Sequence, residues 1–334
     1  MGPEGSYWTL KLKAALMNSK ILVTGAAGGS QGATGNRLTR ALLEKGVPVR
    51  AFVRKNDRRS DVLREMGAEV FVGDLLDIQS VREALKGIEK VYFCYPVQAD
   101  LLDATAILAQ AAKEAGVKFI FHLSSGSSSD QSASPWGRKV WLSEKILEWS
   151  GVPTFHLRPA LYFESLLTQF AKGIGQDSEI RAPFASGDGR VPSIAAGDVA
   201  RLASKVLMNP EPFIGKAHQI FTSSLSLNEL AQELTKVLGR SIRYHEVKSD
   251  QWIKESIDRG DSANQEAKDH LFGLWESFLK LNQDQGFNAR MAQGHGLFKM
   301  MSGESPISMF EWLKLNQAAI EGDRTLQSGL RVNA

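Results

Sequence analysis

The sequence predicts an α/β protein with a doubly wound parallel sheet of the Rossmann type and a smaller, mostly helical C-terminal lobe. From Lys20 to Pro159, short β-branched or aromatic runs alternate with amphipathic segments, which is the pattern of βαβ units. The first run leads directly into a glycine-rich turn and a helix. After Pro159 the alternation loosens. We therefore expect an extension over residues 1–18, a Rossmann domain over 19–159, and a second part over 160–334 that is interleaved with the Rossmann core.

Six apolar runs in the first half are predicted as strands, because continuous hydrophobic character suits strands that are covered on both faces. They lie at residues 21–23, 49–53, 70–72, 91–93, 119–121 and 155–157. Between them, apolar residues recur at helical spacing and glycines stand where helices end. The first half is therefore expected to alternate strand and helix throughout.

The second half predicts more helix than strand. A helix is expected over about 196–208, and Ser226 with Glu229 forms a capping box that starts another. Residues 242–247 predict one further short strand. From 250 to about 322 the sequence is mostly helical and carries many bulky apolar side chains.

Composition and charge exclude several classes of protein. The 40 basic and 37 acidic residues are spread along the chain and leave a formal charge of +3, so neither nucleic acid nor a membrane surface is an expected partner. No apolar run has the length of a bilayer span. The single cysteine excludes an internal disulfide and suits a reducing, cytoplasmic location. The histidines lack metal-ligand spacing, so no metal is expected, and the chain is expected to be a monomer or homodimer.

The glycine-rich turn after the first run predicts a dinucleotide site. A pyrophosphate needs backbone N–H groups pointing at it, no Cβ in the way, and a helix N-terminus. Gly25 and Gly28 suit the tight turn, and Gly35 suits close packing of the helix on the sheet. Four extra residues between Gly28 and Gly35 leave open which amides contact phosphate. A flexible turn without a ligand is the alternative, but the βαβ series that follows favours the dinucleotide.

The end of the second strand predicts which dinucleotide binds. NAD-binding folds usually place an acidic residue there for the ribose 2′-hydroxyl, whereas here Arg54 and Lys55 follow the strand, with Arg58 and Arg59 close behind. A guanidinium suits a 2′-phosphate, so the expected cofactor is NADP(H), held by Arg54 and Lys55. A solvated loop is the alternative, most of all for Arg58 and Arg59. Asp74 is expected either near the adenine amino group or as a cap of its own turn.

Ligands of doubly wound sheets bind at the carboxyl ends of the strands. Tyr95 and Pro96 follow the fourth strand, Ser124 and Ser125 follow the fifth, and Pro159 follows the sixth. We expect all of these except Ser125 to contact the cofactor. Tyr95 suits an aromatic wall against the nicotinamide, or a proton donor, and also a substrate contact. Ser125 is expected to bond a substrate oxygen, although serines also commonly end strands.

Two other side chains of this edge are expected to be structural. Cys94 has no basic neighbour in sequence and is interpreted as a small packed residue rather than a nucleophile. His122 lies inside a predicted strand, where a satisfied core histidine is the expected role.

Several segments together resemble the NmrA-like family of atypical short-chain dehydrogenases. They are VTGAAG with GATGNR, VRAFVRK, GAEVFVGDLLD, VKFIFHLSS, SEKILEWSGVPTFHLRPALYFESL and GDGRVPSIAAGDVA, within about residues 19–248. The resemblance implies a Rossmann fold that binds NADP(H). It also implies one of two roles: a reductase of quinones, aromatic or dye-like compounds or phenylpropanoids, or a redox-sensing regulator that binds the dinucleotide. Family membership alone does not choose between these roles.

One departure from the wider superfamily bears on mechanism. Many relatives place Tyr-x-x-x-Lys after the fifth strand, but the corresponding positions here are Trp136 and Val140, which cannot do that chemistry. Lys139 is one residue away and on a helix points about 100° from the expected direction, unless a local shift brings it into use. The candidate catalytic residues are therefore Tyr95, Ser125 and Lys139.

The function that the sequence predicts is NADPH-dependent reduction of a hydrophobic aromatic or conjugated substrate, such as a quinone, imine or enone, by direct hydride transfer. These substrates can take their proton from water, so a missing tyrosine is tolerable. A non-catalytic NADP(H)-sensing regulator that binds a protein partner is one alternative. A non-redox cyclase or isomerase is another.

Bulky aromatic residues of the second part are expected to roof an apolar substrate pocket. Trp252, Phe272 and Trp275 are the candidates, placed beside Tyr95 and Phe163. The competing interpretation is an ordinary core or a dimer interface, because aromatic residues at helical spacing usually pack.

Overall fold

The computed structural model describes residues 19–29, 32–183, 187–248, 251–252, 269–270, 273–277, 280 and 296–321. These ranges include every predicted strand and both sides of the glycine-rich turn. The N-terminal extension over residues 1–18 lies outside them.

A seven-stranded sheet forms the centre of the Rossmann domain, and every pair in it is parallel. Its strands are β1 (Ile21–Val23), β2 (Val49–Val53), β3 (Glu69–Val72), β4 (Lys90–Phe93), β5 (Phe119–Leu123), β6 (Thr154–Pro159) and β10 (Lys216–Ile220). The order across the sheet is β10-β6-β5-β4-β1-β2-β3. This is the 3-2-1-4-5-6 order of a Rossmann fold with one strand added at the edge. The doubly wound fold and the six predicted strands are therefore confirmed.

Helices cover the two faces of this sheet or belong to the second lobe. They are α1 (Thr34–Leu43), α2 (Arg58–Glu65), α3 (Ile78–Ala84), α4 (Leu101–Glu114), α5 (Pro135–Trp149), α6 (Phe163–Gln176), α7 (Ala196–Met208), α8 (Leu227–Leu238), α9 (Met309–Leu315) and α10 (Gln317–Ile320). A 3₁₀ turn spans Glu211–Phe213. The predicted capping box is present, since Ser226 and Glu229 bond each other's backbone N–H at the start of α8.

Two separate cores cover the two faces of the sheet, as the period of two along a strand requires. Ile21 and Val23 point into the core shared with α1 and α7. Leu22, between them, points into the opposite core with α3, α4 and α5. Both faces are thus dry, which explains the continuous apolar character of the strands.

The described residues after 160, apart from α7 and β10, form a second lobe with its own small sheets and its own core. The strands β7 (Leu161–Tyr162), β9 (Arg190–Ile194) and β11 (Ser223–Ser226) form one sheet, and β8 (Glu179–Ala182) pairs with β12 (Arg243–Glu246). A third core joins α6, α8, α9 and α10. The predicted strand at residues 242–247 is β12.

After β6 ends at Pro159, the chain forms other elements and later returns to the central sheet. Strand β10 pairs in parallel with β6, and α7 lies in the core beside α1. Strand β10 was not predicted, because its residues, Lys-Ala-His-Gln-Ile, lack the apolar run of a central strand. An edge strand has one open side and does not need that run.

Among the described residues, no helix has both the length and the apolar character needed to span a membrane. The same residues contain no group of three His, Cys, Asp or Glu side chains suited to a metal ion.

Candidate functional site

The glycine-rich turn begins directly after β1 and is shaped by two of its glycines. Gly25 has φ +66° and Gly28 has φ +76°, a region that favours glycine. The N–H of Gly28 donates to the carbonyl of Gly25 at 3.0 Å, which closes the turn. A Cβ on Gly25 would lie 2.5 Å from the sulfur of Cys94, so only glycine fits between β1 and the end of β4.

Gly35 brings the first helix against the end of the first strand. A Cβ at this position would lie 2.6 Å from the carbonyl oxygen of Thr24 and 2.7 Å from that of Gly25. Both obstacles are backbone atoms. The absence of a side chain at Gly35 therefore sets the distance between α1 and the turn, which is the role that the sequence predicted for it.

The N-terminus of α1 suits an anion. Its first turn has no acidic residue, and the N-cap, Ala33, provides no side-chain hydrogen bond. The first N–H groups of a helix lack intrahelical partners and carry a partial positive charge. A diphosphate supplies the oxygens that such a bare terminus needs. The turn and helix together fit a dinucleotide.

The basic cluster after β2 divides into two parts. Arg59 is paired with Asp57 at 2.5 Å, and Asp57 also caps α2. Arg54 and Lys55 are exposed, and among the described residues no carboxylate lies in ion-pair contact with either. Arg58 is exposed as well. A contact of Arg54 and Lys55 with a phosphate of the cofactor stays a prediction.

Asp74 caps its own turn. Its Oδ1 accepts a hydrogen bond from the N–H of Leu76 at 3.0 Å, and its own N–H donates to Ser80 Oγ at 3.1 Å. The carboxylate is exposed. This is the second of the two roles considered for Asp74 in the sequence. A contact with adenine stays a prediction.

Tyr95 lies half-buried directly after β4 and packs on two clusters of apolar residues, one of which contains Leu101. Burial raises the pKa of its hydroxyl, the carboxylates of Asp100 and Asp74 raise it further, and the guanidinium of Arg54 lowers it. The hydroxyl is therefore within electrostatic range of the Arg54 side of the site. A contact of Tyr95 with the nicotinamide or with a substrate stays a prediction. Pro96, the next residue, is exposed.

The two serines after β5 have different surroundings. Ser124 is buried and donates a short hydrogen bond to Glu144 on α5, so its hydroxyl is already occupied. The oxygen can still accept a hydrogen bond, and a contact of Ser124 with the cofactor stays a prediction. Ser125 is half-buried, and its Oγ lies 2.9 Å from Ser127 Oγ and accepts from the N–H of Ser127 at 3.2 Å. Its contact with a substrate stays a prediction.

Glu144 is a central residue of this edge that the sequence analysis missed. Arg158, at the end of β6, donates to it from Nε at 2.9 Å and from a terminal nitrogen at 2.5 Å, and Ser128 donates at 2.9 Å. Burial alone would raise the pKa of Glu144, but the hydrogen bonds from Arg158 and Ser124 outweigh it and lower the pKa to about 2. The ion pair therefore fixes the loop after β5, α5 and the end of β6 to one another.

Pro159, one residue after Arg158, is buried and pairs with Ile220 of β10. Its carbonyl accepts the N–H of Gly126 at 2.8 Å. Pro159 thus closes the sheet edge beside the serine loop. Its contact with the cofactor stays a prediction.

Helix α5 carries packing residues where the Tyr-x-x-x-Lys dyad would stand. Trp136 and Val140 are buried and pack with Leu101 of α4. Lys139 is half-buried on the neighbouring face of the helix. Its use in catalysis stays a prediction.

A short segment of the second lobe lies on the N-terminus of α5. The ring of His270 meets that of Trp136 edge-on at 6.2 Å between centroids, and its Nδ1 is 3.1 Å from Ser134 Oγ. Nothing in the local sequence marked His270, because the contact joins residues 136 positions apart.

Tyr162, after β6, was also missed. Its ring lies so near the glycine-rich turn that a Cβ on Gly32 would be 3.0 Å from it. Burial, together with Cys94 and Glu164, raises the pKa of its hydroxyl far above the usual range. Burial also raises the pKa of Cys94 to about 11. Cys94 is thus a protonated, packed thiol, as its sequence context indicated.

His122 is a buried core residue, as expected. Its Nδ1 lies 3.0 Å from Nδ1 of His156, and its Nε2 lies 3.5 Å from Ser143 Oγ. Burial, reinforced by His156, lowers the pKa of His122 to about 3. Both ring nitrogens of His122 thus have a polar neighbour inside the sheet.

The expected aromatic roof is corrected. Phe163, Trp252 and Trp275 are 0%, 1% and 3% exposed and belong to the core of the second lobe. The rings of Trp252 and Trp275 pack edge-to-face at 5.8 Å, and Phe163 packs in the same way on Trp312. Side chains with no free surface hold the lobe together and do not face a ligand. Phe272 lies outside the described residues.

Comparisons with known proteins agree with this geometry. Residues 17–293 match the model of the NmrA-like family. The NAD(P)H azoreductase of Xenophilus azovorans is 31% identical over 223 residues, which are 65% of this chain and 74% of the relative. Quinone oxidoreductase 2 of Escherichia coli is 29% identical over 228 residues, 67% of this chain and 76% of the relative. The crystal structure of the Citrobacter sp. triphenylmethane reductase with NADP(H) superposes with a TM-score of 0.73 at 22% identity, covering 89% of this chain and 99% of that one. The chain therefore belongs to the NmrA-like family.

Proposed function

We propose that the chain is an NADPH-dependent oxidoreductase that reduces hydrophobic aromatic or conjugated compounds, namely quinones, imines, enones or azo compounds. When bound, the dinucleotide supplies a hydride from its nicotinamide ring. The protein supplies the binding site, the orientation and the electrostatic environment.

The observation that carries this proposal is the pairing of two anion sites at one edge of the sheet. The bare N-terminus of α1 would hold the diphosphate, and Gly35 lets that helix approach closely enough. Arg54 and Lys55 would hold the 2′-phosphate that distinguishes NADP(H) from NAD(H). A bare hydroxyl at that place would leave both cations without a partner among the described residues.

The substrate class rests on the relatives and on the chemistry of α5. This chain aligns with about three-quarters of the length of two relatives, one named as an azoreductase and the other as a quinone oxidoreductase. These acceptors are planar and conjugated, and their reduction needs no dedicated acid. This suits a site in which Trp136 and Val140 occupy the positions of the catalytic dyad.

The experiment is a screen of NADPH oxidation by the purified protein with a naphthoquinone, an azo dye, a cyclic imine and a cyclic enone. We expect loss of NADPH absorbance with at least one of them. With a quinone, NADPH, H⁺ and the quinone give NADP⁺ and the hydroquinone. Arg54→Ala is the matched variant, and it should raise the KM for NADPH. Tight NADPH binding without oxidation by any acceptor would contradict the proposal and favour the regulator.

A further inference from the structure

The second lobe contacts the helix turn on which the missing tyrosine would stand. Gly273 lies so close to the start of α5 that a Cβ there would be 2.5 Å from Ser134 Cβ and 2.8 Å from its backbone nitrogen. No other residue fits between these two backbones. Gly273, three residues after His270, therefore lies directly against the N-terminus of α5.

The hydrogen bonds around Ser134 suit a His270 ring that carries its proton on Nε2. Ser134 caps α5, and its Oγ accepts the N–H of Gly137 at 3.4 Å. The hydroxyl proton is then free to point at Nδ1 of His270, 3.1 Å away. An Nδ1 that accepts leaves the ring proton on Nε2. Burial lowers the pKa of His270 to about 4, so the ring is neutral at neutral pH.

We propose that the Nε2–H of His270 donates a hydrogen bond to the oxygen or nitrogen of the conjugated acceptor, in place of the tyrosine of the dyad. The proposal deepens the proposed function and rests on it. His270 is partly exposed, and none of the described residues provides a hydrogen-bond partner for Nε2. The ring also touches Trp136, the residue at the tyrosine position.

A neutral imidazole suits this role. During reduction the acceptor receives a hydride, and negative charge develops on its oxygen or nitrogen. A fixed N–H aimed at that atom stabilises the charge without giving up its own proton. The proton that completes the reaction comes from water, so His270 leaves the reaction unchanged.

Two substitutions distinguish the role of Nε2 from that of Nδ1 in His270. In His270→Gln, the side-chain amide can place an N–H where Nε2 lies. In His270→Asn, the amide reaches only as far as Nδ1 and can still bond Ser134. We expect kcat/KM with a naphthoquinone to fall about ten- to a hundredfold in the Asn variant. The Gln variant should retain most of the activity. The matched control is His245→Asn, an exposed histidine on β12.

Two measurements do not depend on turnover. NADPH binding, followed by fluorescence, should be the same in all variants, and a naphthol, standing for the reduced product, should bind more weakly to the Asn variant. The ¹⁵N chemical shifts of His270 should report the Nε2–H form in the unchanged protein and a mixture in Ser134→Ala. Equal rates of NADPH oxidation by His270→Asn and by the unchanged protein would overturn this inference and leave the proposed function intact. Failure of the unchanged protein with every acceptor overturns both.

Discussion

Arg158 Nε lies 2.9 Å from Glu144 Oε1, in an ion pair that joins the end of β6 to the middle of α5. The carboxylate is completely buried and the guanidinium is 28% exposed. The same carboxylate accepts Ser124 and Ser128 from the loop after β5. The loop after β5, helix α5 and the end of β6 are thus joined to one another by the carboxylate of Glu144.

We expect Glu144→Gln to lower the free energy of unfolding by about 3–5 kcal/mol, because it leaves Arg158 without its carboxylate. Urea denaturation followed by circular dichroism measures the change. Glu148→Gln, an exposed position on the same helix, is the control and should change stability by about 0.5 kcal/mol or less. Equal stability of the two variants would contradict the central role of the ion pair.

The same carboxylate predicts a pH dependence of stability. Its pKa is about 2 in the folded protein against an ordinary 4.5, so the native state favours the charged form. This contribution is complete above about pH 4.5 and is lost as the pH falls towards 2. Unfolding free energies measured over this range should decline less steeply for Glu144→Gln than for the unchanged protein. Parallel curves would show that other groups cause the decline.

Arg54→Ala should weaken the binding of NADP(H) about ten- to a hundredfold, since a charge-assisted hydrogen bond to phosphate is lost. NAD(H) binding should be nearly unaffected. Fluorescence titration with each cofactor measures both. Arg59→Ala is the matched control, because that guanidinium is already paired with Asp57. Equal losses for both cofactors would remove Arg54 from the 2′-phosphate site.

Gly35→Ala should impair cofactor binding and stability together. The added methyl group meets two backbone carbonyl oxygens within 2.7 Å, so α1 has to move away from the turn. We expect a loss of about 1–3 kcal/mol in unfolding free energy and much weaker NADPH binding. Gly29→Ala is the control, because a Cβ there meets no atom within 4 Å. A normal NADPH affinity in Gly35→Ala would refute the need for this close approach.

Trp252→Ala distinguishes core packing from a substrate roof. Trp252 is 1% exposed and donates from Nε1 to the carbonyl of Arg181 at 3.1 Å. Its truncation should cost about 3–5 kcal/mol of stability. Trp149→Ala, at a position that is 72% exposed, should cost little. A raised KM for the substrate with unchanged stability would instead indicate that Trp252 lines the substrate pocket.

Local sequence determined much of this protein. The period and apolar character of the strands predicted a sheet with two dry faces, and the order of the elements predicted a doubly wound fold; both are confirmed. The glycines after β1 were recognisable because a backbone that must approach another backbone leaves no choice of residue. The NmrA-like family was recognisable from these glycines together with the motifs that follow along the chain.

Tertiary structure decided what lies around those segments. Trp252 and Trp275 were predicted by sequence to line a substrate pocket, with core packing as the alternative, and their burial and edge-to-face contact place them in the core. Glu144 resembled any acidic helix residue until Arg158 was brought beside it. His270 gained its partner from a helix 136 residues earlier in the chain. Hydrophobic periodicity reports the local backbone and the buried face, whereas these pairings depend on which distant surfaces the fold brings together.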